Sequence, residues 1–168
     1  PARCVVPLSV GQPPLDQGDI AEFLKGGLGG LVATRSEQLV PHCVSGAALS
    51  LTGPEHAVVF LPQYEAAPAI ANVSANGAIA VVIEQPTTHR GIQLKGRATA
   101  VRDTTPGEEA EIAAFVGRTL AEYAMIGLAP AVIARMVFTP CKAVEFTFTD
   151  VFEQTPGPGA GRAVTVRR

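Results

Sequence analysis

Five polar side chains fall within eleven positions near the middle of the chain: Thr87, Thr88, Arg90, Lys95 and Arg97. Two adjacent hydroxyls can donate to an anionic oxygen. Arginine adds a forked pair of donors, and lysine a point charge. That set suits a phosphate or a carboxylate. Cations on one side of a strand also commonly face plain water. The spacing alone leaves both readings open.

Other chemistry is sparse. The chain contains no P-loop, GxSxG, HExxH or CxxC pattern. His42, His56 and His89 are too scattered to form a metal site by spacing, and no metal is expected. His42 and Cys43 are adjacent on a strand, so their side chains point to opposite faces and cannot act as a base and nucleophile. Glu108, Glu109 and Glu111 sit where a helix start favours negative charge, and read as a solvated capping cluster. Gly26-Gly27 and Gly29-Gly30 lack GxGxxG spacing and precede a strand, so they read as turns. No residue stands out as a general acid or base. Catalytic residues are therefore left unassigned.

The elements that must position the polar cluster are clear in outline. Residues 91–101 alternate cleanly, with Ile92, Leu94, Ala98 and Ala100 on one side and Gln93, Lys95, Arg97 and Thr99 on the other. Gly96, on the apolar side, marks a bulge or a close approach of another backbone or a ligand. Before it come the polar loop 85–90 and an apolar strand over 78–84, entered through Asn76-Gly77. A helix is expected over 65–76, with Pro68 in its first turn. Earlier in the chain, Asp16 can cap a helix over 17–25, and strands are expected at 31–34, 39–49 and 56–61. Thr105-Pro106-Gly107-Glu108 combines a cap, a first-turn proline and a capping-box glutamate. It opens an amphipathic helix with Ile112, Phe115, Val116, Leu120 and Tyr123 on one stripe, ended by Gly127. A short helix over 130–136 and a strand over 143–151 follow. The expected class is mainly β (α+β): a six-stranded antiparallel barrel with flanking helices. Residues 1–153 read as a single domain, led in by a proline-rich stretch over 1–15. Residues 154–168, rich in Pro, Gly and Arg, read as an arm that is mobile or lies on a partner subunit.

With 168 residues, the chain can bury a real core. Charged residues make up only 17%, which suggests that part of the surface is covered in an oligomer. A net charge of −2 argues against nucleic acid as the main partner. Three cysteines without CxxC spacing, Cys4, Cys43 and Cys141, read as reduced thiols. No apolar run approaches the ~20 residues needed to span a bilayer. Pro1-Ala2-Arg3 is not followed by a signal-peptide core. The expectation is a cytoplasmic protein with no membrane association.

Several stretches, in order, resemble the pyridoxamine 5′-phosphate oxidase-like proteins, the FMN-binding split barrels, over about residues 20–152. They are Gly30-Leu31-Val32-Ala33-Thr34, Leu39-Val40-Pro41-His42, Ala71-Asn72-Val73-Ser74-Ala75-Asn76 and Leu94-Lys95-Gly96-Arg97-Ala98. Residues 152–159 resemble a little-described subgroup. The resemblance implies a six-stranded split barrel and a homodimer with FMN sites at the subunit interface. It places Arg35, Val44 and Ser45 near the flavin from the early strands, Thr87, Thr88 and Arg90 from the loop, and Gln93 and Lys95 from the strand after it. The implied function is an FMN-dependent oxidoreductase acting on a small molecule of unknown identity, with the chemistry carried by the cofactor. The alternatives are another cofactor, haem (with His42 or His89 as axial candidates) or a deazaflavin, or a non-enzymatic dimer that has lost the flavin. Three positions depart from the family pattern. Pro68-Ala69 replaces a basic pair, Val40 replaces an arginine, and Gly91 replaces a flavin-contacting glutamine. Each lost cationic phosphate contact would cost ~1.5–3 kcal/mol.

Overall fold

The computed structural model describes residues 17–164. The proline-rich lead-in, Asp16 and Cys4 lie outside the described residues. The elements run α1 (Gln17–Phe23), β1 (Gly29–Arg35), β2 (Pro41–Gly46), β3 (Ala48–Gly53), β4 (His56–Pro62), α2 (Gln63–Asn76), β5 (Ala78–Glu84), β6 (Gly91–Asp103), α3 (Pro106–Met125), α4 (Pro130–Ile133), β7 (Cys141–Glu153) and β8 (Ala163–Val164).

The strands form one antiparallel sheet in the order β2-β1-β5-β6-β7-β4-β3, with β8 added to β7. The described residues thus hold eight strands, not the expected six, and the sheet is split-barrel-like. The difference has two causes. The stretch over 39–49 is two strands, because Gly46-Ala47 carries the chain from one end of the sheet to the other. Ala47 leaves the β1 ladder and donates its N–H to the Phe60 carbonyl at 2.8 Å. For the two end strands to be consecutive in the chain, the sheet must curl on itself at Ala47. The second cause is β8, which lies in the presumed arm. Val164 pairs with Val151, and Ala163 with Phe152. Residues 154–164 are therefore packed on their own chain.

The core is mainly apolar: Val32, Val44, Val59, Phe60, Val81, Ile83, Leu94 and Phe146 are all buried, with Thr34 buried beside Val32 on the same face of β1. Each such apolar side chain contributes about 1.5–3 kcal/mol through the area it removes from water. The alternation read from residues 91–101 holds at Ile92 and Leu94 inside, and at Gln93, Lys95 and Arg97 outside. Gly96 has a steric reason. A Cβ there would lie 1.9 Å from the Thr147 carbonyl oxygen, and the β6–β7 register shifts between Lys95 and Gly96. The sheet closes tightly at this point only because the side chain is absent.

The helices brace the sheet. Helix α2 ends at Gly77 in a left-handed conformation (φ 69°), as Asn76-Gly77 predicted. Helix α3 begins with the expected capping box. Thr105 Oγ1 accepts from the Glu108 N–H at 3.3 Å, and Glu108 Oε2 accepts from the Thr105 N–H at 2.8 Å. Arg102 on β6 holds Glu108 and Glu145 at 2.6 Å each. Its hydrogen bond is the main reason that the Glu108 carboxyl is lowered to about 2. On α3 the buried stripe is Ile112, Phe115, Thr119 and Glu122.

Candidate functional site

The outward face of the sheet forms a regular grid. One row across four strands reads Ser45–Leu31–Val82–Gln93, and continues to Phe152 on β7. The next reads Cys43–Ala33–Ala80–Lys95, and continues to Asp150. In the row beyond, Arg35 pairs with Pro41 and Arg97 with Ala78. Strand alternation puts all these residues on one side, and the burial pattern agrees. Leu31 is 53% exposed and Ala33 is exposed, while their neighbours Val32 and Thr34 are buried. Leu39 (68%) and Val40 (61%) continue the exposed apolar surface into the β1–β2 turn. The middle of this face is therefore a floor of small side chains, Ala33 and Ala80, bounded by Lys95 on one side. Lys95 Nζ sits 4.5 Å from the Phe152 ring centroid, an exposed cation–π contact worth about 0.5–1 kcal/mol.

Four of the eight expected site residues, Arg35, Ser45, Gln93 and Lys95, share this face. From strand spacing and rise, Lys95 and Arg35 are about 12 Å apart at Cα, two strands and one row away. Val44 is not there. Its register partner is Val32, and both point into the core. The two-residue period of the strand puts the Val44 side chain on the opposite face from Ser45. Arg97 is also committed elsewhere: its Nη2 donates to the Asn76 carbonyl at the end of α2 at 2.9 Å.

The loop residues sit apart from this face. Thr87 donates from Oγ1 to Glu122 Oε2 at 2.5 Å, and from its N–H to the same oxygen at 3.3 Å. Gln85 Nε2 donates to Glu122 Oε1 at 3.1 Å. Thr88 Oγ1 donates to Gln85 Oε1 and accepts from the Arg90 N–H. The Arg90 guanidinium lies 5.2 Å from the Phe23 ring centroid, and its Nε is buried without a hydrogen-bond partner. Glu122, not identified from sequence, is the residue that organises this loop. It is 7% exposed. Its carboxyl is lowered, first by the Thr87 hydroxyl, against the opposing effect of burial, with Gln85 and the Thr87 N–H adding to the lowering.

Next to the grid, a cavity of about 400 Å³ opens at the ends of β1, β2 and β5. Leu31, Ser45 and Val82 belong both to its wall and to the grid. Tyr123, Ile126, Met136 and Phe138 form the opposite side, and Glu84 and His89 the polar part. Glu84 Oε1 and His89 Nδ1 are 2.8 Å apart. The basic pair expected by resemblance is Pro68-Ala69. Ala69 is fully buried against the sheet, so that position faces the core. Among the described residues, no group of three or more His, Cys, Asp and Glu could hold a metal ion. Cys43 and Cys141 are free, and burial pushes the Cys141 thiol up to about 11. No described helix is long and apolar enough to cross a membrane.

Solved structures with this architecture are similar at low identity. HupZ of Group A Streptococcus matches with a TM-score of 0.53 and 15% identity, covering 86% of this chain and 98% of that one. An F420 reductase matches with a TM-score of 0.53 and 17% identity, covering 77% and 93%. A candidate pyridoxamine 5′-phosphate oxidase from Lactobacillus delbrueckii matches with a TM-score of 0.50 and 15% identity, covering 85% and 97%. This chain has their fold. The resemblance read from the sequence is thus supported at the level of fold. No protein-family model matches the chain, and no curated protein matches it. The split-barrel fold orders the strands.

Proposed function

We propose that this protein is a flavin-binding homodimer with its ring site on the outward face of the sheet. One observation carries the reading: the floor of Ala33 and Ala80, flanked by Leu31 and Val82 and edged by Gln93 and Lys95. Small side chains let a flat ring approach the strands closely. Four strands at about 4.8 Å spacing make a surface about 14 Å wide, enough for three fused rings. Lys95 supplies a cation for an anionic group, Gln93 an amide for a polar ring edge, and Arg35 a second cation across the face. These groups fit FMN with fewer cations than the family pattern. A bound flavin would supply hydride or electron transfer. The fold neighbours include an F420 reductase and a candidate pyridoxamine 5′-phosphate oxidase, in keeping with a flavin-type ligand and oxidoreductase chemistry.

The same face supports a homodimer. Leu31, Leu39 and Val40 are exposed together around the β1–β2 hairpin. A second copy would cover this apolar surface and close the ring site from above. Two measurements test the proposal. FMN titrated into the purified protein should bind at micromolar concentrations with a perturbed flavin absorption band. An unchanged spectrum at high micromolar FMN rejects the flavin reading. Leu31→Asp should halve the mass seen by light scattering. A wild-type protein that is already monomeric rejects the dimer.

A further inference from the structure

The cavity beside the grid has a polar head that the flavin reading does not use. His89 lies in the left-handed region at φ 57°, a conformation that costs a non-glycine residue on the order of 1 kcal/mol. It is held there by the loop. The His89 N–H donates to the Gln85 carbonyl at 2.8 Å, and the Gln85 N–H to the Arg90 carbonyl at 2.8 Å. Glu122 ties Gln85 and Thr87 to α3. The imidazole is thus mounted on a closed, anchored loop, and its Nδ1 faces the Glu84 carboxylate. A carboxylate accepts, so the neutral ring carries its proton on Nδ1 and its lone pair on Nε2. Nε2 has no hydrogen-bond partner among the described residues. The Tyr123 hydroxyl also has none among them. It packs over Gly29, where an added Cβ would come within 3.0 Å of it, and Gly29 is the register partner of Glu84.

The His89 imidazole, 69% exposed, and Tyr123 both line a cavity whose walls are Leu31, Val82, Ile126, Met136 and Phe138. Its volume suits a single small aromatic molecule. We propose that this cavity binds a small apolar molecule with an acidic hydroxyl, a phenol or an enol, and that His89 Nε2 accepts its proton. In that step the ligand O–H bond breaks and the Nε2–H bond forms. The products are a bound phenolate or enolate, with Tyr123 donating to its oxygen, and an imidazolium stabilised by Glu84. No other reactant is needed, and the step does not depend on flavin.

The test uses 4-nitrophenol, whose phenolate absorbs in the visible, titrated near neutral pH into the full chain without added flavin. Bound probe should carry a larger phenolate fraction than free probe at the same pH, and the His89 ring protons should shift in NMR. His89→Gln should remove the extra phenolate and weaken binding about tenfold, as expected for loss of one charge-assisted bond. Ile126→Trp, which fills this cavity, should abolish binding. Ala114→Trp, in the separate cavity beside Leu51 and Arg118, should leave binding intact. The proposal is overturned if the wild-type protein does not bind the probe or if His89→Gln keeps the extra phenolate. It is equally overturned if Ile126→Trp binds like wild type or Ala114→Trp abolishes binding.

Discussion

Gln93 and Lys95 differ from Thr87, Thr88 and Arg90 in what their polar atoms already hold. The strand residues face outward on the sheet, and Lys95 lies over an aromatic ring. The loop residues, a few positions earlier, are engaged within the chain. Thr87 is bonded to a carboxylate, Thr88 to Gln85, and Arg90 lies on Phe23. In sequence Thr87, Thr88, Arg90 and Lys95 look like parts of one anion site. In space they are two: one open to a ligand, the other a latch built around Glu122. A hydroxyl that already donates to a carboxylate is a poor donor to an anion, because the two acceptors repel and compete for one proton. Residue type nominates a site, and the existing partners decide whether it is free.

The comparison can be broken in several ways. The largest effect should come from Gly96→Ala, since the open strand depends on this close approach. Its Cβ would meet the Thr147 oxygen at 1.9 Å and the Phe148 Cα at 2.6 Å, both backbone atoms that cannot swing away. The loss should be at least about 3 kcal/mol, or outright failure to fold. Urea denaturation is the check, and a near-neutral result would mean that the β6–β7 closure is loose. Lys95→Ala should weaken FMN about 10- to 100-fold with stability nearly unchanged, whereas Thr87→Val should leave FMN affinity alone. Reversed results in the same titration would return the site to the loop.

Glu122→Gln should cost about 1–3 kcal/mol at neutral pH, because it replaces a carboxylate acceptor in a buried network. The carboxyl is lowered in the folded state. Its contribution is therefore full above the unfolded value of about 4.3, and is lost as pH falls through the lower folded value. Wild type and variant should converge in acid. A gap that persists unchanged at low pH would show that shape, not charge, holds the latch. The smallest effect is expected for Thr105→Ala, about 1 kcal/mol from the lost cap on α3. A thermal melt tests it, and no change would mean that Arg102 alone fixes the helix start.

Much of this was legible in the sequence where one short-range rule governs. The alternation of Ile92 and Leu94 against Gln93 and Lys95 follows from strand geometry. The α3 start follows from capping chemistry. Gly96 announced a close approach, and the backbone of β7 supplies it. What was missed depends on long-range placement. No proline or polar turn marks the break at Ala47, because the sheet's curl, not local propensity, separates β2 from β3. The resemblance names Val44 and Ser45 together, while the strand period turns their side chains to opposite faces. Glu122 does not stand out by residue type, since a glutamate on a helix usually faces water. Its spacing from Ile112, Phe115 and Thr119, at helical intervals of three, four and three, put it on the buried stripe. That signal was available, although its acceptor role depends on a loop some 35 residues away in sequence.

Strand β8 is only two residues long, but its position gives it a protective role. Strand β4 covers β7 only as far as Thr147. Past that point one side of β7 would present bare N–H and C=O groups at Val151 and Phe152, an edge ready to pair with any extended chain. Val164 and Ala163 occupy that edge. Thr155 Oγ1 accepts from the Gly91 N–H, and the Gln154 N–H donates to the Gly91 carbonyl, which anchors the returning segment at the start of β6. Residues 154–164 act as a selvedge on the sheet. Removing it should leave the fold recognisable but adhesive, with molecules joining through β7.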